Sequence, residues 1–268
     1  MNDELQGPVS DWMVSPVVSL REDMLVEQAA EQFRALEVSA LPVLDANARL
    51  TGVLGWAELR RASRLVQQSG ERERHWRLPD GKVAEYMNPR VPVIRRDLAL
   101  RACARRMLNQ RLHRLYVAED GPLEGVVSTR QMLSAVVRGR LELPLGALAQ
   151  RFVATIAADD PLSAATARLA ADPSLSLVVL RGAAAVGVLT PEVALSSREA
   201  DPSEAVELWM DPSVVSLPAE VSAVRGAQRL LELERRYIVT HEGRSVIGLI
   251  SGLGFTELIA ESEATFVG

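Results

Sequence analysis

The 268 residues are 48% apolar and 24% charged, the balance of an ordinary globular chain with room for one large domain or two smaller ones. A net charge of −5 argues against a nucleic-acid partner, which a basic face would serve. The single cysteine, Cys103, excludes an internal disulfide and a cysteine metal cluster, and no apolar run approaches the ~20 residues of a membrane span.

The polar, acidic start Met1-Asn2-Asp3-Glu4 is unlike a secretion signal, and a cytoplasmic location is expected. Trp12-Met13-Val14-Ser15-Pro16-Val17-Val18 then leads into a first short strand. Val26, Ala29, Ala30, Phe33 and Leu36 recur at three- and four-residue steps, the stripe of an amphipathic helix. Two β-rich runs follow, Leu41-Pro42-Val43-Leu44 and Gly52-Val53-Leu54, joined by the polar turn Asp45–Arg49; they read as a hairpin. A second helix is expected from Ala57 to Gln67. From Gln67 to Lys82 the chain carries an insert containing Glu71-Arg72-Glu73-Arg74-His75-Trp76-Arg77. It reads as a solvated linker or an extension of the helix. The alternative is an anion or partner contact through Arg72, Arg74, His75 and Arg77, weakened by the interleaved glutamates.

The same order then recurs. Tyr86-Met87-Asn88-Pro89-Arg90-Val91 leads to a helix on Leu100, Cys103, Ala104, Met107 and Leu108, the strands Leu115-Tyr116-Val117 and Gly125-Val126-Val127, and a helix from Arg130 to Leu141. Ala149-Gln150-Arg151-Phe152-Val153 opens the most divergent copy. Its helix on Leu162, Ala165, Thr166 and Leu169 is stopped by Asp172-Pro173. The strands Leu177–Leu180 and Gly187-Val188-Leu189 follow, then a helix from Glu192 to Arg198. The last copy begins Trp209-Met210-Asp211-Pro212-Ser213-Val214-Val215 and continues through Val224, Ala227, Leu230 and Leu231. Its strands are Tyr237-Ile238-Val239 and Gly248-Leu249-Ile250, and its final helix runs from Phe255 to Glu263.

Four β-α-β-β-α units of roughly 60 residues make this an α/β (α+β) repeat protein. A unit this small is marginal alone, and helices on one face of its sheet leave the other face apolar, so the units should pair. Trp12 and Trp209 read as packing residues. The histidines His75, His113 and His241 fall in an insert, a helix end and a turn, with no metal-ligand spacing. No nucleophile elbow, P-loop or dinucleotide fingerprint is present, and the chain does not read as an enzyme.

The run Met-x-x-Pro, Val-Ser-Leu-Arg-Glu-Asp, helix, Leu-Pro-Val-Leu-Asp, Gly-Val-Leu closely resembles the CBS motif, the regulatory repeat named for cystathionine β-synthase. The first unit, Val9 to Ala62, matches most clearly. The resemblance implies two Bateman modules: residues 1–143, with motifs at about 9–65 and 84–141, and residues 144–268, with motifs at about 148–198 and 206–264.

Proteins of this kind bind adenosine-containing ligands in the cleft between paired motifs. The start of the second strand frames the base, and a Ser or Thr after the third strand touches phosphate at a helix N-terminus. An acid three positions later holds the ribose diol through charge-assisted hydrogen bonds. The resemblance thus implies ligand contacts at Ala40, Leu41, Pro42 and Glu58 in the first unit. It implies His113, Arg114, Leu115, Ser128, Thr129, Arg130 and Gln131 in the second, Thr190 in the third and Ser251 in the fourth. Each copy departs from the pattern. Gly55 replaces the hydroxyl in the first, while Gln131, Val193 and Gly254 stand where the acid belongs in the others. Without a ligand, Ser128, Thr190 and Ser251 read as helix N-caps, Glu58 as a first-turn acid favoured by the helix dipole, and His113 as a half-buried histidine.

Two functions follow. One is a stand-alone regulatory protein that senses AMP, ADP, ATP or S-adenosylmethionine and signals to a regulated protein in trans. The other is a ligand-free scaffold for dimerisation or protein interaction. A homodimer is expected, with no cofactor, metal, nucleic acid or membrane partner.

Overall fold

The computed structural model describes residues 3–36, 38, 40–62, 64–67, 74–119, 121–149, 153–172, 175–190, 200–243 and 245–262. The first repeat comprises β1 (Leu20–Arg21), α1 (Val26–Ala35), β2 (Ala40–Leu44), β3 (Leu50–Gly55) and α2 (Trp56–Ala62). The stripe Val26, Ala29, Ala30 and Phe33 is buried, which is why α1 forms where the periodicity places it. Strand β1 runs parallel to β2, and β2 antiparallel to β3. The Asp45 carboxylate turns the hairpin by accepting the backbone N–H groups of Asn47 and Arg49, each at 2.8 Å.

The insert departs from both bland readings. It forms a hairpin, β4 (Arg64–Gln67) against β5 (Arg74–Arg77), with Leu65 in register with Trp76 and Val66 with His75. Helix α2 stops at Ala62, and from Arg64 to Gln67 the chain pairs as a strand across the hairpin instead. Arg72 lies outside the described residues.

The second repeat is led in by α3 (Val83–Tyr86) and holds β6 (Val93–Ile94), α4 (Leu100–Asn109), β7 (Arg114–Val117), β8 (Gly125–Ser128) and α5 (Thr129–Arg138). The third is led in by α6 (Leu145–Leu148) and holds β9 (Val153–Ala157), α7 (Leu162–Ala171), β10 (Ser176–Arg181) and β11 (Ala184–Leu189). Its expected helix, Glu192 to Arg198, lies outside the described residues. The fourth holds β12 (Val214–Pro218), α8 (Ala223–Glu232), β13 (Tyr237–Glu242), β14 (Ser245–Ser251) and α9 (Gly252–Glu261). Each repeat builds a three-stranded sheet with its second strand in the middle, so the architecture is the expected α+β repeat.

Lead-ins are exchanged between neighbouring repeats. Val14 of the first lead-in bridges Val126 on β8, and Asn88 of the second bridges Val53 on β3. Asp211 of the fourth bridges Val188 on β11. The methionine explains the glycine in the third strands of the first three repeats. A Cβ on Gly125 would fall 2.5 Å from Met13 Sδ, and Met87 and Met210 crowd Gly52 and Gly187 in the same way. Only a residue without a side chain lets the incoming lead-in approach the sheet so closely. Repeats one and two, and repeats three and four, are thereby paired. A buried layer of Val178, Val188, Val239 and Leu249 joins the sheets of the last two.

Contacts divide the chain into two compact units that cut across the sequence order. One contains residues 9–98 and 115–127; the other contains 1–8, 99–114 and 128–268. The first holds the first repeat's core, where Leu20, Phe33, Val43 and Leu54 pack with Val83 of the second lead-in. In the other unit, α4 and α5 of the second repeat pack on α8 and α9 of the fourth. There the buried Arg101 donates from Nη2 to the Ser262 hydroxyl at 3.0 Å, a cation at the carboxyl end of α9.

Candidate functional site

In the first repeat, ladder register pairs Ala40 with Gly55, Leu41 with Leu54 and Pro42 with Val53. The start of β2 and the end of β3, which feeds α2, therefore lie together at one end of the sheet. Leu41 and Pro42 are buried and Ala40 is half-buried. Glu58 sits in the first turn of α2 with a side chain 16% exposed, and accepts a hydrogen bond from Arg61 Nη2 at 2.7 Å. Gly55 supplies no hydroxyl. The β3 edge is closed by Asn88, whose backbone exchanges two hydrogen bonds with Val53, at 2.8 and 3.0 Å.

The equivalent end of the second repeat is arranged differently. Ser128 is the N-cap of α5; its hydroxyl accepts the Arg130 N–H at 3.2 Å and donates to Gln131 Oε1 at 2.7 Å. Gln131 Oε1 also accepts the Ser128 N–H at 2.9 Å, which completes a capping box. Thr129 packs against Gly252, where a Cβ would fall 2.6 Å from the threonine Cβ. The guanidinium of Arg130 donates to the Leu231 carbonyl at 3.3 Å and lies 3.6 Å from the Glu234 carboxylate. His113 is exposed rather than half-buried, because it stands in the loop after α4; its carbonyl accepts the Thr129 N–H at 3.0 Å. Arg114 is half-buried at the start of β7 and Leu115 is fully buried.

In the third repeat Thr190 is buried at the end of β11, and the residues after it lie outside the description. In the fourth, Ser251 caps α9 by accepting the Leu253 N–H at 3.3 Å. Cys103 is fully buried on α4, and burial pushes its thiol up to about 12, so it stays protonated and unreactive at neutral pH.

The candidates thus separate. Ala40, Leu41, Pro42 and Glu58 belong to one compact unit, as does Leu115; His113, Arg114, Ser128, Thr129, Arg130, Gln131, Thr190 and Ser251 belong to the other. Sequence reasoning missed Arg61 and Glu234 as partners of Glu58 and Arg130. The first was readable from its i,i+3 helical spacing; the second, in another repeat, was not.

The family model of the CBS domain matches residues 9–65 and 83–138. Those two segments are CBS domains. An uncharacterized conserved protein from Pyrococcus horikoshii shares its fold with a TM-score of 0.61 at 17% identity, over 94% of this chain and 99% of that one. Protein MJ1225 from Methanocaldococcus jannaschii, described as a candidate archaeal homologue of γ-AMPK, gives 0.70 at 13% identity, over 93% and 99%. CBSX2, solved in complex with AMP, aligns over 50% of this chain and 98% of its own, with a TM-score of 0.41 at 23% identity. A comparison with the curated proteins returned no match. The four repeats together have a fold consistent with paired Bateman modules, and no enzyme family is indicated. Among the described residues, no helix is long and apolar enough to cross a membrane, and no group of three metal-ligating side chains assembles.

Proposed function

We propose that this CBS protein is a cytoplasmic, non-catalytic regulator that binds an adenine nucleotide or related adenosyl ligand and signals to a partner protein in trans. The observation that carries the reading is the end of the first repeat's sheet. There the ribose-type acid, Glu58, stands in the first turn of α2, while the start of β2 lies alongside the end of β3. Arg61 reaches only one carboxylate oxygen, Oε1, in the hydrogen bonds described. A carboxylate has about four acceptor sites, so capacity remains for a diol. Binding would act by favouring one arrangement of the paired motifs, to the extent that the two arrangements differ in affinity.

The test is a titration of the whole chain with AMP, ADP, ATP and S-adenosylmethionine, followed by melting temperature and calorimetry. A saturable ligand whose affinity falls in Glu58→Ala supports the reading. No response to any of them at millimolar concentration overturns it.

A specific observation favours the scaffold reading for the other unit. The Ser128, Thr129, Arg130 and Gln131 side chains are engaged by the capping box and by the fourth repeat. That face works as a packing surface between repeats, and a homodimer would extend the same use of CBS surfaces to a second copy.

A further inference from the structure

At the opposite end of the β2–β3 hairpin from Glu58, the first unit carries a hollow of about 690 Å³, lined by Arg49, Leu50, Val93, Arg95, Ala118 and Glu119 among others. Its volume is in the range of small-molecule sites. It opens at the carboxyl ends of the parallel strands β6 and β7, since Arg95 directly follows Ile94 and Ala118 directly follows Val117. Crevices at the carboxyl ends of parallel strands are recurrent ligand sites in α/β folds. A backbone hydrogen bond from Leu123 N–H to the Ala48 carbonyl, 3.1 Å, ties the two hairpin turns beside it.

The charges there differ in how they are engaged. Arg95 is held by both oxygens of Asp97, each at 3.1 Å, and by Glu119 Oε1, also at 3.1 Å. Its hydrogen bonds hold the Asp97 carboxyl below the usual carboxylate range. One cation set against two carboxylates leaves a negative excess on that side. Arg49 is exposed, and no hydrogen bond or ion pair of its guanidinium is found among the described residues. Leu50, Ala118 and Val93 line the same hollow, the last 41% exposed although apolar.

A hollow lined by an exposed arginine, a carboxylate and apolar side chains suits a small zwitterion. We infer that it binds a free α-amino acid with an aliphatic side chain. Its carboxylate goes to Arg49, its ammonium group to Glu119, and its side chain to Val93, Leu50 and Ala118. The third repeat supplies a natural control in the other unit. Its hollow of about 580 Å³, at the carboxyl ends of β9 and β10, holds Asp159, Asp160 and an Arg181–Glu207 ion pair. Among the described residues lining it, Arg181 is the one arginine, and it is already paired with Glu207, unlike Arg49.

The inference does not rest on the adenosyl reading. The experiment is calorimetry on the full chain with L-valine, L-leucine and L-methionine, and with their amides and N-acetyl derivatives. Saturable binding of a free amino acid is expected, weakened by amidation and by acetylation. Arg49→Ala, an exposed turn substitution, should weaken it roughly tenfold or more with an unchanged melting curve. Glu119→Gln should weaken it too, whereas Glu58→Ala and Asp160→Ala should leave it intact. No binding at millimolar concentration overturns the inference, as does equal binding by Arg49→Ala or by the blocked derivatives. Either failure leaves the adenosyl reading to its own test at Glu58.

Discussion

The N-termini of α2 and α5 occupy the same place in successive CBS motifs, yet they are finished in opposite ways. At α5, Ser128 and Gln131 satisfy each other in a capping box, Thr129 is covered by Gly252, and Arg130 lies against Leu231 and Glu234. At α2, Gly55 brings no hydroxyl, and the acid Glu58 meets a neighbour on its own helix. The first N–H groups of any helix need partners from outside it, and a cap or a ligand can supply them. A motif can therefore keep the hydroxyl of its family pattern and still turn it inward. Another can lose the hydroxyl and keep the group that would face a ribose.

The largest effect should come from breaking what the motifs share. Gly187→Val would drive a side chain into Met210 and toward the Asp211 carbonyl, destabilising the chain by about 3 kcal/mol and lowering Tm by roughly 6–12 °C. A change below ~1 kcal/mol would show that the exchanged lead-in does not hold the pair together.

Glu58→Ala should weaken an adenosyl ligand by roughly one to two decades, the loss expected when a hydrogen bond to a charged group is removed. The apo melting temperature should move little, because the lost contact is a single i,i+3 pair whose arginine is mostly exposed. Ser128→Ala should do the reverse. Losing the cap should cost about 1 kcal/mol, a Tm drop of roughly 2–4 °C, with ligand affinity unchanged. If Ser128→Ala weakened the ligand as much as Glu58→Ala, the two helix ends would be working alike and the contrast would fall.

Arg130→Ala should have the smallest effect, below ~1 kcal/mol, since half of the arginine side chain and most of Glu234 are exposed. Raising the salt concentration in the melting experiment should remove even that difference.

Much of the fold was legible beforehand. Helices α1, α4 and α7 begin at the apolar residues that open their stripes, Val26, Leu100 and Leu162. The hairpins fall on the expected aliphatic runs, because a period of two or of 3.6 is a local property of the chain. The insert misled for the same reason: its charge pattern resembles a solvated helix, whereas β4 and β5 are defined by pairing across the turn. His113 is exposed because its loop position, rather than its residue type, sets its burial.

The candidate site was legible as a set of positions, Glu58 and Ser128 among them, but not as a set of partners. Repetition alone determined that four like units follow one another and which residues stand at equivalent places in each. Only the tertiary structure decided that Met13 lies against Gly125, that Thr129 lies under Gly252, and that Arg130 reaches Glu234. Those contacts join residues far apart in sequence, and no local pattern encodes them. They arise when apolar faces that single units leave open are buried against other repeats.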